Sequence, residues 1–175
     1  PDLGNGYGQP LFTFLPPGLY WAAQIPRLFA LPMTASINAA LLGGVIMSAL
    51  AMFFWCRRRL SAGAALAAAL AYIFTPYFLA SLFVRCSYGE FMAYSAFPWV
   101  LWALDGMILE ERKARYALVL PLAYAAVFLF HNPMALLFSP VAMAYPWIIA
   151  GNAADRWRKV YACWAFLVIG AGIAS

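Results

Sequence analysis

Charge is what this chain has least of: Asp, Glu, Lys and Arg make up 10% of its 175 residues, where a soluble domain carries roughly 25%. A water-soluble globule of this length could not cover its surface with so few charges, so lipid is the solvent for most of the chain. The shortage excludes an ordinary cytosolic enzyme and a nucleic-acid-binding domain, although the net charge of +5 alone would suit an anionic partner. Cysteine is scarce as well. Cys56, Cys86 and Cys163 stand without CxxC or Cys/His spacing, so neither a metal site nor a disulfide framework is expected. No Walker sequence, HExxH or GxSxG occurs. Gly4, Gly6 and Gly8 mimic a phosphate-binding run, but no strand precedes them and Pro10 follows, so the context of a dinucleotide fingerprint is missing. The chain opens at Pro1 without a basic stretch leading into an apolar core, so nothing there reads as a signal peptide. It stops at Ser175 inside an apolar run and reads as an internal piece of a longer protein.

What the chain has in quantity is apolar length, with 66% hydrophobic and 18% aromatic residues. About 20 helical residues cross a hydrocarbon core of about 30 Å. Six apolar segments approach that length: 36 to 55, 61 to 84 with Pro76 breaking its far end, 91 to 109, 116 to 130, 134 to 150, and a last one from about 160. The expected fold is all-α, a polytopic transmembrane helical bundle of about six spans over 36–175. The fourth segment is short, so the fourth and fifth fit either two full spans or a re-entrant hairpin turning at His131. Alternating six spans gathers Arg57, Arg58, Arg59, Arg112, Lys113, Arg115, Arg156, Arg158 and Lys159 on one side. Those are nine of the 11 basic residues, with only Arg27 and Arg85 opposite. The positive-inside rule makes the basic loops cytoplasmic. Ala40, Gly44 and Ser48 form a stripe of small residues that permits close helix approach, and Ala64, Ala68 and Ala71 or Tyr72 are expected to continue it in the next segment.

Residues 1–35 behave differently. Gly4, Gly6, Gly8, Pro10, Pro16, Pro17 and Gly18 punctuate them, and the run from Leu19 to Leu31 contains Gln24, Pro26 and Arg27, too short and interrupted to cross. An outer-face loop followed by an interfacial helix is expected, with Tyr20, Trp21 and Phe29 in the headgroup layer.

Topology explains the cytoplasmic charges but not the polar groups on the outer face: Asp2, Asn5, Gln9, Gln24, Arg27, Arg85, Ser87, Tyr88, Glu90, His131 and Asn132. Most fall at junctions between helix ends and the outer surface, where an outward cavity would hold a reacting group. Arg85 and Glu90 bracket one turn, and both an ion pair that merely ends the helices and a functional role fit them. His131 precedes Asn132 and Pro133, a helix-stop sequence, so a capping or core histidine stands beside a site histidine. For Asp2 and Arg27, solvated or snorkelling side chains are favoured over a site role. Asp105 is expected to pair with a cytoplasmic base, Arg112 being the nearest choice.

Three motifs in order carry a resemblance: Gly6-Tyr7-Gly8-Gln9-Pro10-Leu11-Phe12-Thr13-Phe14-Leu15-Pro16-Pro17, then Val84-Arg85-Cys86-Ser87-Tyr88-Gly89-Glu90, then His131-Asn132-Pro133. The chain resembles bacterial multi-span proteins labelled as related to 6-pyruvoyl-tetrahydropterin synthase, whose architecture is similar to the GT-C superfamily of membrane glycosyltransferases. The resemblance implies transfer of a sugar from a polyprenyl-phosphate donor to an acceptor on the outer face of the bacterial inner membrane, which needs no nucleotide site. It implies that Arg85 holds the lipid phosphate, because guanidinium binds its oxygens through two parallel hydrogen bonds. Glu90 becomes the catalytic carboxylate with His131 in support, and Asp2 a further carboxylate, while the superfamily's own acidic residue in its first outer loop would precede Pro1. Arg27, Tyr88 and Asn132 become substrate-binding residues. Cys86 stands where a Gly is expected. No metal ligands are implied and any cofactor is left open. A transporter or lipid flippase, or an accessory subunit of a membrane complex, would use the same residues to bind or couple rather than catalyse.

Overall fold

The computed structural model describes residues 16–111, 113–152 and 154–174, and every regular element among them is helical. Apolar surroundings leave backbone N–H and C=O groups no partner but each other, and the helix pairs them within one segment. In chain order these are α1 (Gly18–Arg27), α2 (Met33–Cys56), α3 (Ala62–Ile73), α4 (Pro76–Leu79) continuing into a π-helical turn (Ala80–Val84), α5 (Tyr88–Leu109), α6 (Ala114–Phe130), α7 (Asn132–Ala150) and α8 (Arg156–Ala174). α2, α5 and α7 are long and apolar enough to cross a membrane, and α3 with α4 and its π-helical turn makes a fourth if that bent pair is one span. α6 is shorter at 17 residues, and α8 opens on Arg156, Arg158 and Lys159.

Pro76 divides the second apolar segment. Lacking an N–H, it sits in the first turn of α4, where none is needed. Thr75 Oγ1 donates to the Tyr72 carbonyl at 2.9 Å and helps satisfy the end of α3. The chain bends there by 43°.

α5 is the central helix and the most deeply buried of the candidate spans. It packs against α6, α2 and α7. α2 runs parallel to it: Trp99 Nε1 donates to the Met47 carbonyl at 3.1 Å, and further along Arg59 meets Asp105. α6 runs antiparallel and covers α5 nearly end to end, because Gly106 faces the Tyr116 ring at one end and Gly89 faces the Phe130 carbonyl at the other. A Cβ on Gly89 would lie 2.6 Å from that carbonyl oxygen. Since a backbone atom cannot swing away, Gly89 is what lets the two helices touch.

The small-residue stripe of α2 is extended in the fold: Ser36, Ala40, Gly44, Ser48 and Ala51 are all buried. Its continuation in α3 is one residue out of phase with expectation. Ala65 and Ala69 are buried, whereas Ala64 and Ala71 are exposed and Ala68 and Tyr72 are half-buried. Leu66 and Leu70 face outward, so the bulky residues take the lipid side and the alanines between them meet the neighbouring helix.

The basic segments converge at one end of the bundle. There Asp105 is fully buried and receives Arg59 Nη1 at 2.5 Å, Arg59 Nη2 at 3.0 Å and the Tyr145 hydroxyl at 2.9 Å, while Trp55 Nε1 donates to the Tyr145 oxygen at 3.0 Å. The expected basic partner of Asp105 is supplied by Arg59, brought in by the parallel α2; Arg112 lies outside the described residues. Beside it Glu110 accepts from Arg58 at 2.8 Å, from Arg115 at 2.7 Å and from the Tyr116 hydroxyl. The Tyr116 hydroxyl, with Arg115 and Arg58, holds the Glu110 carboxyl below its ordinary range.

α1 occupies the opposite end, where the backbone of Gly18 lies against Leu129 and Phe130 of α6. Tyr20, Trp21, Ile25 and Phe29 remain exposed around it. Most of the expected outer loop, residues 1–15, lies outside the described residues.

Removing one member of a buried pair strands the other, so Arg59→Ala is expected to destabilise the protein by about 2–3 kcal/mol, allowing for the partly exposed guanidinium. Asp105→Asn, which removes the buried charge itself, should cost less. The double variant should cost less than the sum of the two, as thermal unfolding in detergent would read.

Candidate functional site

The end opposite the basic loops carries its own buried carboxylate. The π-helical turn brings the chain out of α4 with Arg85 N–H bonded to the Ala80 carbonyl at 2.7 Å and Ser87 N–H to the Ser81 carbonyl at 2.9 Å. This tight exit lets Arg85, five residues before Glu90, fold back over the first turn of α5. Its Nη1 reaches Oε1 at 3.2 Å and its Nη2 reaches Oε2 at 3.0 Å, a two-point contact. The Glu90 side chain is 8% exposed and that of Arg85 54% exposed. The Tyr77 hydroxyl donates to the same Oε1 and lies 3.7 Å from the Met134 sulfur. The position of Glu90 in the first turn of α5 adds the positive end of the helix dipole.

An aromatic layer closes the site towards the bundle interior. Tyr72 and Tyr94 stack at 4.8 Å, Phe78 meets Phe91 at 4.8 Å, and the Tyr72 hydroxyl donates to the Tyr94 carbonyl at 2.7 Å.

His131 caps two helices at once. Its N–H donates to the Val127 carbonyl at 2.9 Å, closing α6, and its Nδ1 accepts from Met134 N–H at 3.2 Å, opening α7. The capping alternative of the sequence is thus what the fold contains. The ring also stands near Gly89, whose Cβ, if present, would be 3.8 Å from His131 Cδ2, so Nε2 remains as the nitrogen available to a neighbour. No side-chain bond joins His131 to Glu90 among the described residues.

The other predicted residues separate. Tyr88 is half-buried and packs with Leu41, Phe78, Phe91 and Met92. Asn132 is exposed in the first turn of α7. Arg27 is exposed on α1, with Nη1 3.5 Å from the Met33 sulfur and no contact with Arg85. Asp2 lies outside the described residues. Arg85 and Glu90 come together with His131 close by, and Tyr77 joins them unforeseen. Its signal was available: the Thr75-Pro76 restart puts position 77 on the short helix leading directly to Arg85.

Chemically, the site offers a buried carboxylate, a phenol proton donor and a guanidinium with an open edge. No group of three or more His, Cys, Asp or Glu arranged for a metal ion occurs among the described residues.

Between Arg85 and Glu90 the backbone carries strain at Cys86, whose φ of 50° lies in the left-handed region. The expected glycine would have suited that conformation. A non-glycine residue pays about 1–2 kcal/mol there, and a glycine returns part of the gain through the freer unfolded chain. Cys86→Gly is therefore expected to stabilise the protein by a few tenths to about 1 kcal/mol. Cys86→Val, β-branched at positive φ, should destabilise it, both read as shifts in thermal unfolding.

Compared with known proteins, the chain matches no family model, no curated protein and no solved structure.

Proposed function

We propose that the chain is part of a GT-C-like membrane glycosyltransferase that takes a sugar from a polyprenyl-phosphate donor on the outer face of a bacterial inner membrane. The observation that carries this reading is the half-exposed Arg85 beside the buried Glu90. One face of the guanidinium neutralises the carboxylate and the remainder stays open to an incoming anion. In this reading α6 and α8 cross the bilayer as well, giving about six spans. α6 extends along α5 from Gly106 to Gly89, and Gly170 of α8 packs on the Pro121 backbone of α6. The loops bearing Arg57–Arg59, Lys113 and Arg156–Lys159 are cytoplasmic, and α1 lies in the outer interface with Tyr20 and Trp21 in the headgroup layer.

In the proposed reaction the acceptor hydroxyl attacks the anomeric carbon, the bond from that carbon to the phosphate oxygen breaks, and the phosphate leaves with the bonding electrons. Arg85 holds the leaving phosphate and stabilises its growing charge. Glu90 stands ready to take the hydroxyl proton once the donor draws Arg85 from it, with Tyr77 keeping the carboxylate oriented. His131, fixed as a cap, supports the site through its backbone and Nε2. The aromatic layer beneath Glu90 supports a site that opens to the outer side only, which favours catalysis over a transporter or flippase reading of the same residues.

A phosphate contact of this kind is worth roughly 1.5–3 kcal/mol. Arg85→Ala is expected to weaken binding of a polyprenyl phosphate by about ten- to a hundredfold, and Arg85→Lys to recover only part, since a point charge cannot reproduce the planar fork. Binding is measured on folded, detergent-purified variants. Unchanged affinity in Arg85→Ala would reduce Arg85 and Glu90 to an ion pair that ends two helices.

A further inference from the structure

A second feature lies on another side of α5. An open apolar groove of about 610 Å³ runs between α1, α2, α5 and α6, and its lining includes Ile25, Pro26, Gly43, Met47, Trp99 and Ala123. Ser95 also reaches it, but its hydroxyl donates to the Phe91 carbonyl at 2.9 Å, so the lining asks for no polar ligand. The open space is real at its wall: a Cβ on Gly43 would meet nothing within 4 Å, whereas one on the adjacent Gly44 would strike the Met92 sulfur at 2.7 Å.

The groove's height limits what can fill it. On α6 the lining runs from Val119 to Phe130, about 16 Å at 1.5 Å per residue, which is half of a hydrocarbon core of about 30 Å. On α2 and α5 the lining stops at Met47 and Trp99, which are joined by a hydrogen bond from Trp99 Nε1 to the Met47 carbonyl. Its outer end is roofed by α1. A crossing helix would need the full bilayer, so a groove one leaflet tall fits a lipid tail.

The mouth carries a charge. Arg27 directly follows Ile25 and Pro26 of the lining, it is exposed, and among the described residues its guanidinium makes one side-chain hydrogen bond, to the Met33 sulfur at 3.5 Å. No carboxylate among the described residues neutralises it. Long basic side chains at this level reach the headgroups while their stems stay in the apolar layer.

We propose that this groove is a binding site for an anionic phospholipid of the leaflet opposite the basic loops, with one acyl chain along Gly43 and Ala123 and the phosphate at Arg27. The site is independent of Arg85: it uses the α2 and α6 flanks of α5, not the α4 and α7 flanks, and it stands whether or not the protein transfers sugars. A lipid held there seals α1 onto the bundle, filling the space between their apolar faces.

The test uses the 175-residue chain purified in detergent, with dioleoyl phosphatidylglycerol and dioleoyl phosphatidylcholine as probes, read by native mass spectrometry and thermal unfolding. Phosphatidylglycerol should be retained and raise the unfolding temperature more than phosphatidylcholine. Gly43→Leu fills the groove from a position with free space, so it should abolish retention while leaving lipid-free stability intact. Ala123→Leu does the same from the facing wall and replaces it should the first variant fold poorly. Arg27→Gln should weaken phosphatidylglycerol binding about five- to tenfold and remove the preference over phosphatidylcholine. Equal retention of the two lipids by the unaltered chain would overturn the proposal. So would undiminished retention in the filled variants, or an Arg27→Gln protein that still selects the anionic lipid.

Discussion

Two buried carboxylates on one helix constrain the rest of the bundle. Glu90 and Asp105 lie near opposite ends of α5, about 22 Å apart at 1.5 Å per residue. Each would be prohibitively costly in an apolar interior without a cation and hydrogen bonds. Both are satisfied by the same chemistry, an arginine and a tyrosine from other segments: Arg85 and Tyr77 for Glu90, Arg59 and Tyr145 for Asp105. Those contacts fix how far α2, α4 and α7 can slide along α5. Close packing through Gly89 and Gly106 then fixes α6.

The two ends differ in what accounts for them. Arg59 belongs to a run of three arginines that the proposed topology places on the cytoplasmic side, so in that reading its partnership with Asp105 needs no role beyond anchoring. Arg85 has no such neighbours and emerges from a strained turn at Cys86. A cation that topology does not require, set over a buried carboxylate and an aromatic seal, is the arrangement expected of an anion-binding site. On that contrast rests the proposal that the Glu90 end reacts while the Asp105 end holds the bundle together.

The helices were legible because apolar length and charge sort strongly in a lipid environment. Segments 36 to 55, 91 to 109, 116 to 130 and 134 to 150 fall within α2, α5, α6 and α7, extended by two or three residues at their starts. The pairing of Arg85 with Glu90 was legible too, since five residues of intervening chain keep them near each other. Long-range pairing was not. Asp105 meets Arg59 and Tyr145 only through the packing of α2 and α7 on α5, and no local pattern distinguishes Arg59 from Arg112. The phase of α3 was hidden because a nearly continuous alanine run lacks the alternation that marks a buried face; Leu66 and Leu70 held the only clue. The Thr75-Pro76 restart marked the short helix that carries Tyr77, but that its hydroxyl reaches Glu90 depends on the direction of the bend at Pro76, which packing sets.

Difference infrared spectroscopy of the carboxylate bands, recorded as a short-chain isoprenoid phosphate is added to the purified protein, tests the asymmetry between the two ends most directly. If Arg85 turns from Glu90 to the phosphate, a carboxylate band should shift on addition, the shift should vanish in Glu90→Gln, and it should persist in Asp105→Asn. A spectrum that does not change, or a change that survives Glu90→Gln, would contradict the account and leave Arg85 and Glu90 as an anchor like the one at the other end.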